Sequence, residues 1–346
     1  MSKPLQCVSP VVLALATTLM FGADGTASAQ DTTLSQVKQR GALRCGVNAV
    51  VAGFGQSDGQ GNYAGFDIDY CRAIAAAIFG DPAKVAFMPT TNLDRFTALQ
   101  SRNIDVLIHN STWNITRDST LGIIFATVNY YDGQGFVIKA ARGIRSAKQL
   151  DGATICVGKA TTTEQNLADY FAGNKMTYKP LVSERLDEAI QAYLAGRCDA
   201  YTTDRSGLYS VRTQMPRPKE HVVLPEVIAS EPLGPFVRQG DDQWLTIVRW
   251  VHFALVNAEL LGITSSNVDQ MAGSSNPAVT RFLGNDGELG KGLGLENDFA
   301  AKIVRAVGNY GEVFERNVGS GSRLKIERGL NNLWNRGGIQ YAPPFR

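Results

Sequence analysis

The sequence predicts an α/β protein of two lobes, each built on a parallel sheet. Three observations carry this expectation. The chain has 346 residues, too many for one small domain and enough for two. Its 44% hydrophobic and 19% charged residues belong to a globular chain rather than a disordered one. One order of elements, strand–helix–strand–helix–strand, runs twice, and two such units imply two parallel-sheet lobes.

In chain order, Lys3, the apolar run at 11–21 and the small residues Ala27-Ser28-Ala29 read as a secretion signal, residues 1–29, cleaved before Gln30. The run is too short to span a bilayer. An anchoring helix is the other reading, but no second apolar segment follows. Cys7 precedes the run, so no cysteine is placed to carry a lipid. In the first unit Leu43, Cys45 and Val47 alternate as a strand. Tyr70, Ile74 and Ile78 then recur at helical spacing, stopped by Gly80 and Pro82. Residues 84–88 are a short strand, Asn92 caps a helix through Leu99, and 104–108 is a buried strand. In the second unit 154–157, 177–181 and 198–203 are strands. Leu167, Tyr170 and Phe171 mark a helix ended by Gly173, and Leu186, Ile190, Tyr193 and Leu194 mark one ended by Gly196. Gly41-Ala42-Leu43-Arg44-Cys45 is echoed by Gly152-Ala153-Thr154-Ile155-Cys156; since such punctuation is common, chance similarity is the alternative to a repeat. Asp241 and Asp242 start a helix through Leu261. Residues 262–294 read as a long irregular surface segment with a short helix at most, 295–314 as a helix, and 326–334 as a short final helix.

Charge and motifs exclude several functions. With 34 basic and 32 acidic residues the net charge is +2, which argues against a nucleic-acid partner bound through a basic surface. No phosphate-cradling glycine loop, Gly-x-Ser-x-Gly or close His/Cys or His/Ser pair occurs, so no cofactor and no catalytic set is expected. His109, His221 and His252 are far apart and read as structural; no C-x-x-C suggests zinc, and no metal is expected. Four cysteines follow the signal, and four allow three pairings. Each unit holds two of them, so Cys45 is expected to pair with Cys71 and Cys156 with Cys198, bridges that leave the lobes free to move.

Ligands of open parallel sheets bind beyond the carboxyl ends of the strands. That rule selects residues 48–54 and 109–117 in one unit and 158–164 and 202–204 in the other. Thr161-Thr162-Thr163-Glu164 before an apolar helix is a capping box with Thr161 as cap. The same helix start offers free N–H groups to a carboxylate, so a plain cap and an anion site are both open. Arg117 follows a strand by one loop, beside hydroxyls, and a guanidinium holds a carboxylate through two parallel bonds. Asp204 ends the last strand of its unit and can pair with an ammonium, cap the helix at Arg205, or both. Phe54 and Trp113 wall an apolar slot or belong to the core. A cation and an anion site at short range describe an α-amino acid.

These segments resemble the periplasmic solute-binding proteins of the polar amino-acid type (family 3), which serve ABC importers, and more closely their general L-amino-acid branch. Gly65-Phe66-Asp67-Ile68-Asp69, Asn110 through Arg117, Thr161-Thr162-Thr163-Glu164 and Tyr201-Thr202-Thr203-Asp204 match family motifs. Tyr130-Tyr131-Asp132-Gly133-Gln134-Gly135-Phe136 and the tail from Gly337 through Pro344 resemble the branch. The resemblance implies a type II periplasmic binding protein fold whose Arg117, Thr162 and Thr112 hold an α-carboxylate. Asp204 binds the α-ammonium and Phe54 packs on the ligand. Thr161 and Asn114 complete the expected set, Asn114 standing where many relatives have a hydroxyl. Ala160 departs from the glycine usual there and would be strained at positive φ, and Lys159 adds charge near the pocket.

The expected organisation is signal peptide 1–29, first lobe 30–134 and 236–346, second lobe 135–235, with crossings near 133–136 and 232–237. The expected function is capture of an L-amino acid between lobes that close on it, for delivery to the membrane permease of an ABC transporter. The chain is expected to act in the periplasm as a monomer. A lyase or dehydratase using Asp204 with Arg117, or a sensory module presenting its ligand to a receptor, are the alternatives.

Overall fold

The computed structural model describes residues 32–346; the signal expected at 1–29, with Cys7, lies outside the described residues. The strands expected in the two units are present, with ends shifted by up to two residues. In the first sheet Leu43–Val47 lies between Val85–Pro89 and Val106–Ile108, parallel to both. Phe236–Arg238 and then Ile123–Phe125 extend it. In the second sheet Thr154–Gly158 lies parallel between Lys179–Ser183 and Ala200–Asp204, followed by Tyr130–Lys139 and His221–Val223. The central strand Leu43–Val47 is buried at every position but Arg44, as expected of a strand inside a covered parallel sheet.

Neither sheet is parallel throughout. Phe236–Arg238 and Tyr130–Lys139 run against their neighbours. Each enters a sheet directly from the other one, without the crossover helix that parallel pairing requires. Tyr130–Lys139 also pairs along its first half with Ala229–Leu233, which sets Glu231 opposite Asp132. Gly133 to Phe136, expected at the first crossing, therefore pair within the second sheet. The chain passes between sheets at 126–129 and again at Gly234 and Pro235. The two passages touch: a Cβ on Gly234 would lie 2.0 Å from the Thr127 carbonyl oxygen, so only glycine fits.

The C-terminal segment braces the first passage. Tyr131 N donates to Asn331 Oδ1 at 2.7 Å, and Asn331 Nδ2 donates to Tyr131 O at 2.9 Å. Tyr310 Oη and buried Gln340 Nε2 both donate to Asn129 O, at 2.9 and 3.3 Å. Because Asn331 serves the crossing, 326–334 is not the expected helix; two 3-10 turns, Gly329–Asn331 and Trp334–Arg336, replace it.

Other expectations need correction. Residues 295–314 hold two helices, Phe299–Val307 and Tyr310–Asn317, parted at Gly308 (φ 83°) and restarted by a capping box of Asn309 with Glu312. Residues 262–294 are more regular than expected, with helices Pro277–Phe282 and Leu289–Leu293 and with Ile263, Val268, Val279 and Phe282 buried. Asn92 does not cap the helix Arg95–Gln100; it accepts from the Arg95 guanidinium instead. Helix Thr33–Arg40, capped by Thr32 and ended by Gly41, was not anticipated.

Cys45 pairs with Cys71 and Cys156 with Cys198, their Cα atoms 6.0 and 5.7 Å apart. His252 and His221 each face a buried tyrosine hydroxyl, Tyr70 at 2.9 Å and Tyr193 at 2.8 Å. No described helix is long and apolar enough to cross a membrane.

Candidate functional site

The carboxyl ends of both parallel sets face one cleft, which closes on a cavity of about 70 Å³. Arg117, Thr112, Thr161, Thr162 and Asp204 line it together, from three separate segments. Arg117 is 7% exposed. Its Nη1 donates to the Thr112 carbonyl at 2.6 Å, and its guanidinium lies 4.9 Å from the Phe96 ring centre. Burial lowers its pKa, opposed by attraction to Glu231 and Asp204. Asn114 does not reach the cavity; it caps the helix Ile115–Thr120 and accepts from Arg117 N at 2.9 Å, so it positions the arginine.

On the opposite wall the helix Thr162–Gly173 begins. Thr161 caps it, accepting from Glu164 N at 3.1 Å. The expected box is half formed, because the Glu164 carboxylate accepts from Ala160 N at 3.0 Å and not from the cap residue. Ala160 stands at φ 59°, the left-handed region foreseen as strained, and that bond holds it there. Lys159 turns away to an exposed pair with Glu184 at 2.7 Å and adds no charge to the cavity wall. The first N–H groups of the helix have no intrahelical acceptor and present positive dipole to the cleft.

Asp204 stands at the start of helix Arg205–Gln214 but makes no capping bond, so its carboxylate is left to the cavity. Burial raises its pKa well above the usual aspartate value, and repulsion from Glu231 and Asp132 adds to the rise. Asp132 is itself pushed up to about 6 by burial. A cation beside Asp204 would relieve this cost.

Glu231, fully buried on the returning strand, was not singled out in the sequence. Thr112 and Thr162 both donate to its Oε2, the latter at 3.0 Å, and Asn166 Nδ2 donates to Oε1 at 2.7 Å. When ionised this carboxylate only accepts, so the hydroxyls that meet it donate to it. The two hydroxyls lie 3.2 Å apart across the cleft, and both residues line the cavity. In this arrangement both hydroxyls that are expected to meet a carboxylate are engaged by Glu231. The lobe-two donors left are the N–H groups of the helix start.

Neither expected aromatic lines the cavity. Phe54 is 1% exposed and packs on Tyr130 and Phe66, with ring centres 5.1 and 6.0 Å away. Trp113 is 47% exposed and stacks on Phe125. The residues that do complete the wall include Arg95, His109, Asn92 and Leu186. Arg95 is 4% exposed; it donates to Asn92 Oδ1 at 2.9 Å and faces His109 Nδ1 at 3.5 Å. Burial, then repulsion from Arg117, lowers its pKa to about 9. His109, expected to be structural, lines the cavity as a neutral ring, its pKa lowered to about 4 by burial and by Arg95. No group of His, Cys, Asp and Glu that could hold a metal occurs among the described residues.

Residues 43–261 match the bacterial extracellular solute-binding proteins, family 3. The chain belongs to this family. It is a binding protein and not an enzyme, and its relatives give the lyase reading no support. It is 58% identical over 324 residues to the general L-amino acid-binding periplasmic protein AapJ of Rhizobium johnstonii, covering 93% of this chain and 95% of that one. It is 53% identical over 323 residues to the glutamate/glutamine/aspartate/asparagine-binding protein BztA of Rhodobacter capsulatus, again 93% and 95%. A solved periplasmic binding protein from Brucella ovis with glutathione bound superposes at TM-score 0.90 and 56% identity, over 92% of this chain and all of that one. In this solute-binding protein the signals missed in the sequence were of two kinds. Glu231 lies just before the expected second crossing at 232–237, in a stretch for which the sequence suggests no role. Arg95 lies on a helix that the sequence marks only by its expected Asn92 cap and its end at Leu99.

Proposed function

We propose that this protein captures an L-amino acid between its two lobes in the periplasm and delivers it to an ABC importer. The observation that carries the reading is one buried guanidinium, Arg117, and one carboxylate without a capping bond, Asp204, lining one cavity. Arg117 and the N–H groups at Thr162 and Thr163 receive the α-carboxylate. Asp204, with the lone pairs of Thr112 and Thr162, receives the α-ammonium. Arg95 and Asn92 offer N–H groups to an acceptor on the side chain, which favours acidic and amide side chains; the names of the relatives AapJ and BztA support this class. The Brucella ovis relative supports a second reading, a ligand longer than one amino acid. We take the lobes as 30–134 with 236–346 and 135–235, turning on the paired strands around Asp132 and Glu231. The protein works as a monomer after loss of residues 1–29.

Calorimetry with L-glutamate and L-glutamine on Arg117 variants tests the reading. A buried charge deprived of its partner costs about 2–5 kcal/mol, so Arg117→Ala weakens binding at least about thirtyfold at 1.4 kcal/mol per decade. Arg117→Lys recovers little, because the two-pronged geometry is lost. Binding within threefold of the parent in both variants would remove Arg117 from the site.

A further inference from the structure

We infer that the cleft holds a second chamber beyond the amino-acid site, and that it takes the substituent on the amide nitrogen of a γ-glutamyl amide or short γ-glutamyl peptide. The inference rests on the amino-acid reading above and extends it outward. Next to the inner cavity lies another of about 220 Å³. Asn48, Asn92, His109 and Leu186 line both, so the two meet at these residues. The outer chamber lies between Thr90 and Thr91 of one lobe and Glu184 and Arg185 of the other.

Arg95 stands at the junction. It bonds to Asn92 and faces His109, both shared by the two cavities. It is 4% exposed, and its Nε is buried with no hydrogen-bond partner among the described residues. A buried guanidinium with an unused N–H calls for an acceptor. With the ligand's head held by Arg117 and Asp204, its side chain leads toward this junction. A glutamyl chain carries its carbonyl two methylenes beyond the α-carbon, where such a donor can meet it. If that carbonyl belongs to an amide, the substituent continues past Asn92 and Leu186 into the outer chamber. That chamber has about three times the inner volume and mixed walls, in which Ala49, Val50 and Pro89 stand beside Thr90, Thr91 and Arg185, so it offers room and polar partners to a further residue.

The test compares L-glutamine with γ-L-glutamylglycine by calorimetry on the mature protein and on two filling variants. Thr91 and Ala49 line only the outer chamber, and Thr91 is exposed, so Thr91→Trp is expected to fold. Ala49→Trp supplies an independent block. The parent is expected to bind both compounds, and each variant to weaken the dipeptide at least tenfold while glutamine stays within about twofold. If the parent binds glutamine and not the dipeptide, or if the variants leave the dipeptide unaffected or weaken both compounds alike, the second chamber is refuted. If neither compound binds the parent, the amino-acid reading itself fails.

Discussion

Replacing Asp204 by Asn separates binding from stability, because the two should move in opposite directions. The side chain keeps its shape, and no capping bond is lost, since Asp204 makes none. In the free protein the carboxylate is raised by burial and repelled by Glu231 and Asp132. Removing its charge relieves both effects and gives up the weaker attraction to Arg95 and Arg117. A relief of about 1 kcal/mol would raise the melting temperature of the ligand-free protein by roughly 2–4 °C at the scale of 150–250-residue domains. Binding should suffer instead. An ammonium that loses its carboxylate in a closed cleft costs about 2–5 kcal/mol, which is about thirtyfold to several thousandfold in affinity. The sign with pH follows. The raised carboxylate takes up a proton in the free cleft, and an ammonium needs it ionised, so binding releases that proton. Affinity should therefore rise with pH through the raised value and flatten in the Asn variant. Scanning calorimetry without ligand and titration calorimetry with L-glutamine, at several pH values, read all three effects. A lower ligand-free melting temperature together with unchanged affinity would mean that Asp204 is a structural cap.

Two further outcomes test the surroundings of the site. Glu231→Ala leaves Thr112, Thr162 and Asn166 without their acceptor; at about 1–3 kcal/mol per unsatisfied group, denaturant unfolding should show a loss of about 2 kcal/mol or more, largely recovered by Glu231→Gln, and a loss below 1 kcal/mol would dissolve the network. His252 is held neutral by burial, its pKa lowered to about 3. The unfolded chain alone takes up its proton, so stability falls as pH drops from about 6.5 toward 3. His252→Gln should lessen that fall between pH 6.5 and 4, and an unchanged slope would contradict the assignment.

What the sequence disclosed followed from local rules. Alternation at Leu43, Cys45 and Val47 and the stop at Gly80 are properties of short windows, and they located the parallel cores. Arg117, Thr161, Thr162 and Asp204 came from the rule that ligands sit beyond strand ends, and they do share a cavity. The rest depended on contacts between distant segments. Nothing near Glu231 announces that it meets Thr112, 119 positions earlier, and Thr162, 69 earlier. Phe54 and Trp113 lay in the right loops, but whether an aromatic faces a cavity or the core is decided by the far side of the fold, here Tyr130 and Phe125. The 3-10 turns of the tail replaced a helix because Asn331 bonds a strand 200 positions away.

The central claim is that one ligand carrying both charges is held by both lobes at once. Titration of the mature protein with an L-amino acid, with the α-keto acid that lacks its ammonium, and with the amine that lacks its carboxylate tests this most directly. The amino acid should bind, and each analogue should bind at least about thirtyfold more weakly, since each leaves Asp204 or Arg117 buried without a partner. An analogue that binds within threefold of the amino acid, or a protein that binds none of the twenty, would contradict the account.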